Sequence, residues 1–190
     1  MIVTNDLVFI HIPKTAGRSV TMAISELKDV QYHKQGVSIG YEKLPIHSRC
    51  SDVLRVMNED YHKAFKFTIV RNPFDRLVSF YEYGNINFKY KFERFSDFIL
   101  FVSGNNSFKA GLNWKTARRT QSYYIDFDID SFGKFESIND YWLSLNLGVD
   151  LPIVNNTPHG HFLDYYTKEE IDIVKNTYKI DFINFYPELL

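Results

Sequence analysis

The chain has 190 residues, with 22 Lys+Arg against 23 Asp+Glu, 45% hydrophobic residues and one Cys. That length suits one domain over residues 1–190, a single Cys excludes a disulfide framework and a Cys-rich zinc module, and a net charge of −1 removes the basic footprint of a general nucleic-acid binder. No apolar run approaches the ~18 residues of a membrane span, and residues 1–6 lack the Lys or Arg of a secretory leader, so a soluble, cytoplasmic protein is expected.

Residues 7–12 form an apolar run rich in strand formers and read as a buried strand. It runs into Pro13-Lys14-Thr15-Ala16-Gly17-Arg18-Ser19 and then a helical pattern, with Val20, Ala23, Ile24 and Leu27 on one stripe. The opening unit is strand, tight loop, helix. Residues 30–50 are ambiguous, broken by Gly36, Gly40 and Pro45. Residues 51–58 read as a short helix with Val53, Leu54 and Met57 on one side. Residues 65–70 are the second clear strand; Arg71-Asn72 ends it, and Pro73 suits the first position of a helix. Phe74, Leu77, Val78 and Tyr81 form its buried stripe.

Phe95, Phe98, Ile99 and Val102 mark a helix ended near Gly104, residues 104–119 read as a polar loop, and residues 122–129 as a strand. Ser137 with Asp140, and Thr167 with Glu170, have capping-box spacing. The first opens a helix carrying Ile138, Trp142 and Leu145 and stopped by Gly148; the second opens one lined by Ile171, Val174 and Tyr178. Strands alternating with helices argue for an α/β fold with a central parallel sheet flanked by helices.

A strand feeding a glycine-containing loop and a helix N-terminus makes an anion site, because backbone N–H groups converge there and the helix dipole favours negative charge. The Walker A string GxxxxGK[ST] is absent; here Lys14 precedes Gly17 and Ser19 follows it. Lys14 can reach back to a bound phosphate or sulfate, and Thr15 and Ser19 can add hydroxyl donors. The alternative is a proline-capped turn opening an ordinary helix. Arg71 stands where the second strand ends, the edge at which parallel sheets bind ligands, and offers a planar fork suited to phosphate. Ser79 lies two turns into the next helix, so the pair could hold a second phosphate. The alternative is a helix-start ion pair of Arg71 with Asp75, with Ser79 a small packing residue.

Together the two segments resemble something definite. FIHIPKTAGRS at 9–19 resembles the 5′-phosphosulfate loop of sulfotransferases, and FTIVRNPFDRLVSFY at 67–81 resembles their 3′-phosphate motif. The nearest resemblance is to the carbohydrate-type family that includes the heparan 2-O-sulfotransferases and small bacterial members. Gln121-Ser122-Tyr123, Gly133-Lys134-Phe135-Glu136 and Tyr178-x-x-Asp181-Phe182 are similar to further family positions, whereas Arg18 and Lys134 depart from the usual residues.

The resemblance implies a P-loop-like three-layer fold and transfer of a sulfuryl group from 3′-phosphoadenosine 5′-phosphosulfate (PAPS) to a hydroxyl of an acceptor, a carbohydrate or another hydroxyl-bearing small molecule. The product is 3′-phosphoadenosine 5′-phosphate (PAP). Pro13, Lys14, Thr15, Ala16, Gly17, Arg18 and Ser19 would cradle the 5′ end, Lys14 would stabilise the leaving oxygen, and Arg71 and Ser79 would read the 3′-phosphate. The transfer is in line, as in phosphoryl transfer, but a sulfuryl group carries less charge, so no metal is required. Of the six His residues, His11, His33, His47, His62, His159 and His161, the resemblance favours His47 as the base; a helix-cap or surface role is its alternative. His47 and Cys50 have HxxC spacing and His159-x-His161 is a conceivable metal pair, but no further ligands converge in sequence.

Tyr81, Tyr83, Phe88, Tyr90, Phe92 and Phe95 are either core or platforms for a sugar or phenol. Arg118-Arg119 with Lys109 and Lys115 either faces an anionic acceptor or is a solvated loop. Two other functions compete: a PAP- or PAPS-binding module without catalysis, and a P-loop-type nucleotide kinase. The kinase needs a Walker A Lys-Ser/Thr pair and a magnesium-holding Asp at a strand end, and neither is evident.

Overall fold

The computed structural model describes residues 2–4, 6–27, 37–39, 42–105, 112–154 and 157–190. In chain order the elements are β1 (Ile2–Val3), β2 (Leu7–Ile10), α1 (Gly17–Ile24), β3 (Val37–Ile39), β4 (Glu42–Leu44), α2 (Cys50–Met57), α3 (Glu59–Lys63) and β5 (Phe65–Val70). There follow α4 (Pro73–Asn87), α5 (Phe95–Val102), α6 (Leu112–Lys115), β6 (Ser131–Lys134), α7 (Ile138–Ser144), α8 (Lys168–Thr177) and α9 (Lys179–Phe185). They form two compact units: Met1–Val70 with Tyr123–Asn155, and Arg71–Ser122 with Asn156–Leu190.

The first unit is an α/β layer structure. Its sheet has the order β1-β2-β5-β6, with β2, β5 and β6 parallel and β1 antiparallel at the edge. Phe9 pairs with Phe67 and Ile10 with Thr68; Ile69 pairs with Gly133 on the other side of β5. All four residues of β2 are buried, as a continuous apolar run in a parallel sheet covered on both faces demands. Phe9, Phe67 and Ile69 point to one face, where Val20, Ala23 and Ile24 of α1 and Trp142 of α7 close over them. On the opposite face Lys66 lies 5.4 Å from the ring centroid of Tyr61 in α3. A buried ammonium must be paired, and Lys66 Nζ meets Asp130 at 2.9 Å and donates to the Ala64 carbonyl at 3.0 Å. Helix, sheet and helix layers thus follow from one strand's alternation.

The second unit is built around α4. Pro73 opens it, and the Asn72 side chain caps it by accepting from Phe74 N–H at 3.0 Å. It buries Phe74, Leu77, Val78, Ser79 and Phe80, more than the single stripe its sequence suggests. The aromatic richness of the chain is used here as core: Phe92, Phe98, Phe101 and Trp114 pack ring to ring, and Phe74 lies between Tyr166 and Phe182. Gly84 in α4 is needed for close approach, since a Cβ there would overlap the Trp114 ring.

Several local expectations need correction. Residues 122–129 form a turn at 122–124 followed by irregular backbone, and the strand begins only at Ser131. Their polar groups are taken elsewhere: the Tyr124 carbonyl accepts from Cys50 N–H, and the Asp128 carbonyl from the Tyr61 hydroxyl at 2.6 Å. Within 104–119, α6 and a 3-10 turn over Thr116–Arg118 form where a loop was expected, anchored by buried Trp114 and Ala117. Ser137 makes no side-chain cap, because a 3-10 turn, Phe135–Ser137, leads straight into α7. The ambiguous stretch contains the β3–β4 hairpin, whereas Gly36 and Gly40 lie outside the described residues. Among the described residues no helix is long and apolar enough to cross a membrane.

Candidate functional site

The loop between β2 and α1 carries two non-glycine residues in the left-handed region, Lys14 at φ 69° and Ala16 at φ 62°. Such a conformation costs about 1–2 kcal/mol per residue for an L-amino acid with a Cβ. Left-handed residues in a turn aim successive backbone N–H groups to one side and form an anion-binding nest. Here the turn runs into the N-terminus of α1, whose first turn holds no acidic residue and whose N-cap, Ala16, makes no side-chain cap. The loop is held from within: the buried Thr15 hydroxyl donates to the Ile12 carbonyl at 2.9 Å. Ser19, also buried, accepts from Val154 N–H at 3.3 Å through Oγ, which leaves its own proton to donate. Lys14 is half-buried and Arg18 exposed. Gly17 is fixed by contact, because a Cβ at that position would overlap the imidazole of His11.

His47 is tied to the start of this loop. Its Nδ1 lies 2.8 Å from the His11 carbonyl oxygen. A carbonyl can only accept, so Nδ1 donates, and in the neutral ring this places the lone pair on Nε2. The two imidazoles meet edge to face at 4.6 Å. The segment around His47 is anchored on both sides. Ser48 Oγ donates to the Pro45 carbonyl at 2.9 Å, and Asp126 accepts from Ser51 N–H and Oγ at 3.0 and 2.6 Å where α2 begins. His11 itself is buried, and among the described residues its Nδ1 has no hydrogen-bond partner. Burial, ahead of neighbouring positive charge, pushes its pKa well below the ordinary 6.5, so it stands neutral. Cys50 is buried, and burial pushes its thiol up to about 11, which leaves it unreactive.

In the second unit Arg71 sits between β5 and α4 with its side chain 9% exposed. Its Nε donates to Asp75 Oδ2 at 2.7 Å, the ion pair weighed above as the plainer alternative. That bond uses one of the five N–H donors of a guanidinium. His159 stands beside the pair, with Nε2 3.4 Å from an Arg71 terminal nitrogen and 3.6 Å from Asp75 Oδ1, and Nδ1 2.8 Å from the Gly160 carbonyl. Asp75, Ser79 and Glu82 share one face of α4 by their i, i+4, i+7 spacing. Tyr165 donates to Glu82 at 2.8 Å. Ser79 is buried. In the sequence His159 stands out only as half of a conceivable metal pair with His161, and nothing in local spacing marks it as a neighbour of Arg71.

Pro13 to Ser19 and His47 belong to the first unit, and Arg71 and Ser79 to the second. Of the other candidates, His33 and Lys109 lie outside the described residues. His161 stacks on Phe162 at 4.7 Å, and the Arg118 guanidinium lies 5.2 Å from the Phe101 ring centroid. Phe92 and Phe95 are core, whereas Tyr90 is 52% exposed. Among the described residues no three His, Cys, Asp or Glu side chains cluster as metal ligands.

No curated protein and no solved structure matches the chain significantly. The model of the sulfotransferase family matches residues 1–186, nearly the whole length. The chain therefore belongs to the sulfotransferase family.

Proposed function

We propose that this sulfotransferase takes its sulfuryl group from PAPS, releases PAP and sulfates a hydroxyl of a carbohydrate acceptor, with residues 1–190 serving as one sulfotransferase domain. The observation that carries the reading is the β2–α1 loop, where Lys14 and Ala16 hold left-handed conformations at the positive end of α1. Strain of this kind persists where function uses it. A doubly anionic 5′ end suits that loop, because backbone N–H groups meet the positive end of the helix dipole there, Lys14 belongs to the loop, and the first turn holds no carboxylate.

When bound, PAPS would supply an activated sulfuryl group on a phosphate leaving group. The chain's own residues then have separable tasks. The backbone of residues 14–19 and the Ser19 hydroxyl bind the 5′ end. Lys14 places positive charge where the leaving oxygen gains negative charge. His47, protonated on Nδ1 by its bond to the His11 carbonyl, presents Nε2 to take the acceptor's hydroxyl proton. The Arg71 fork, oriented by Asp75, takes the 3′-phosphate, with Ser79 as a further donor.

Calorimetric titration with PAP, AMP and Mg-ATP tests the donor, followed by transfer assays on sugar acceptors. PAP should bind at least ~10-fold more tightly than AMP, the worth of one charge-assisted bond. His47→Ala should cut transfer by about 10²–10⁴-fold with PAP affinity unchanged. Mg-ATP binding without preference for a 3′-phosphate would overturn the reading in favour of a kinase. PAP binding with no transfer above the uncatalysed rate would leave a binding module, and transfer unchanged in both His47→Ala and Lys14→Ala would remove those two residues from the chemistry.

A further inference from the structure

We propose that Gln121 and Asp181 are positioning residues for Arg71, forming a buried relay that fixes the reader of the 3′-phosphate; this rests on the donor reading above. Arg71 lies just past the end of β5, whose last ladder partner is Val70, and before the first residue of α4. Its backbone groups therefore leave the sheet. The Gln121 side chain takes both: Oε1 accepts from Arg71 N–H at 2.8 Å, and Nε2 donates to the Arg71 carbonyl at 2.8 Å. This is the double exchange of a hydrogen-bonded pair in an antiparallel ladder, made by one amide 50 residues away in sequence.

Only a side chain with both a donor and an acceptor at that reach can make it. Gln121 is fully buried, so its placement is itself determined by partners. Asp181, also fully buried, accepts from Gln121 N–H at 2.6 Å through one oxygen. Its other oxygen accepts from Ser122 N–H at 2.8 Å and the Ser122 hydroxyl at 2.9 Å. A buried carboxylate with three donors is a strong, geometrically defined anchor. Tyr178, one turn earlier at the start of α9, donates to the Ala117 carbonyl at 2.7 Å. α9 thus holds residues 117–122 at both ends, and that segment holds the Arg71 backbone. The side chain is then aimed by Asp75. The relay accounts for Gln121-Ser122 and Tyr178-x-x-Asp181, which the donor motifs leave without a task.

The test compares PAP and AMP affinities by calorimetry, donor KM and kcat, and thermal stability for wild type, Gln121→Met, Gln121→Glu and Arg71→Ala. Gln121→Met keeps the length of the side chain and removes both bonds. It should weaken PAP about 10-fold while AMP affinity stays unchanged, raising donor KM with kcat within a few-fold. Gln121→Glu keeps the acceptor for Arg71 N–H and should lie between the two. A purely structural role would lower stability and leave the PAP-to-AMP ratio alone, so an unchanged ratio in either folded Gln121 variant overturns the proposal. If Gln121→Met fails to fold, Gln121→Glu carries the same comparison. A wild type that does not prefer PAP to AMP would overturn the donor reading itself. A preference lost in Arg71→Ala but kept in the Gln121 variants would overturn only the relay.

Discussion

At the scale of single residues, Lys14 carries two properties that can be pulled apart. Its ammonium belongs to the proposed chemistry, whereas its backbone, at φ 69°, is held where a side chain is a liability. Glycine removes the liability and the charge together. Lys14→Gly should therefore leave stability unchanged or raise it by about 1 kcal/mol, the left-handed penalty less the entropy cost of glycine. The same variant should lose about 10²–10³-fold in transfer rate, as for removal of one group that stabilises developing charge. Denaturant unfolding and a transfer assay on one preparation check both. A variant that is less stable yet fully active would show that Lys14 serves the fold. His11 and Gly17 make the converse point. Their fit is a matter of contact between a ring and a missing Cβ, and no pattern in the sequence announces it.

Elements were legible in the sequence wherever the reason for them is local. The capping box at α8 is the clearest case: Thr167 accepts from Glu170 N–H at 3.2 Å, and Glu170 accepts from Thr167 N–H at 2.8 Å. Both partners lie within one turn, so spacing alone identifies them. Thr167→Ala should cost about 0.5–2 kcal/mol of stability with PAP affinity and donor KM unchanged. A variant that alters the affinity while remaining fully stable would move Thr167 from the scaffold to the site. Ser137 has the same spacing but no cap, because the preceding turn already supplies the backbone geometry. Residues 122–129 look like a strand for their Tyr, Phe and Ile content, yet the donors that claim their carbonyls, Cys50 N–H and the Tyr61 hydroxyl, come from α2 and α3. α6 forms from a stretch read as polar because one Trp is buried, a tertiary fact that local composition averages away.

At the scale of the whole molecule, the fold class and the two motif segments could be read because each is contiguous: residues 9–19 and 67–81 contain strand, loop and helix start within themselves. What binds the segments to the rest could not, since the His11–His47 contact spans 36 residues and the Arg71–Gln121 contact 50. One of these long-range facts has a global consequence. In the unfolded chain His11 titrates near 6.5; in the native state burial pushes its pKa well below that value. Above pH 6.5 the imidazole is neutral in both states and costs nothing. Below it the unfolded state takes up a proton that the native state does not, so the unfolded state gains ground as pH falls. Stability should drop by up to about 1.4 kcal/mol per pH unit from pH 6.5 downward. Partial burial raises the carboxyls of Asp52 and Asp130, but Arg49 and Lys66 outweigh it and hold them below the usual 3.8. Their contribution fades only around pH 4 and lower, so it does not fill the same window. Denaturant unfolding of wild type and His11→Phe at pH 7, 6 and 5 separates the terms, because Phe keeps a ring against Gly17 and the carbonyl that His47 bonds, but cannot titrate. Wild type should lose stability between pH 6.5 and 5 while His11→Phe stays nearly level. Parallel slopes would place the acid sensitivity elsewhere in the chain.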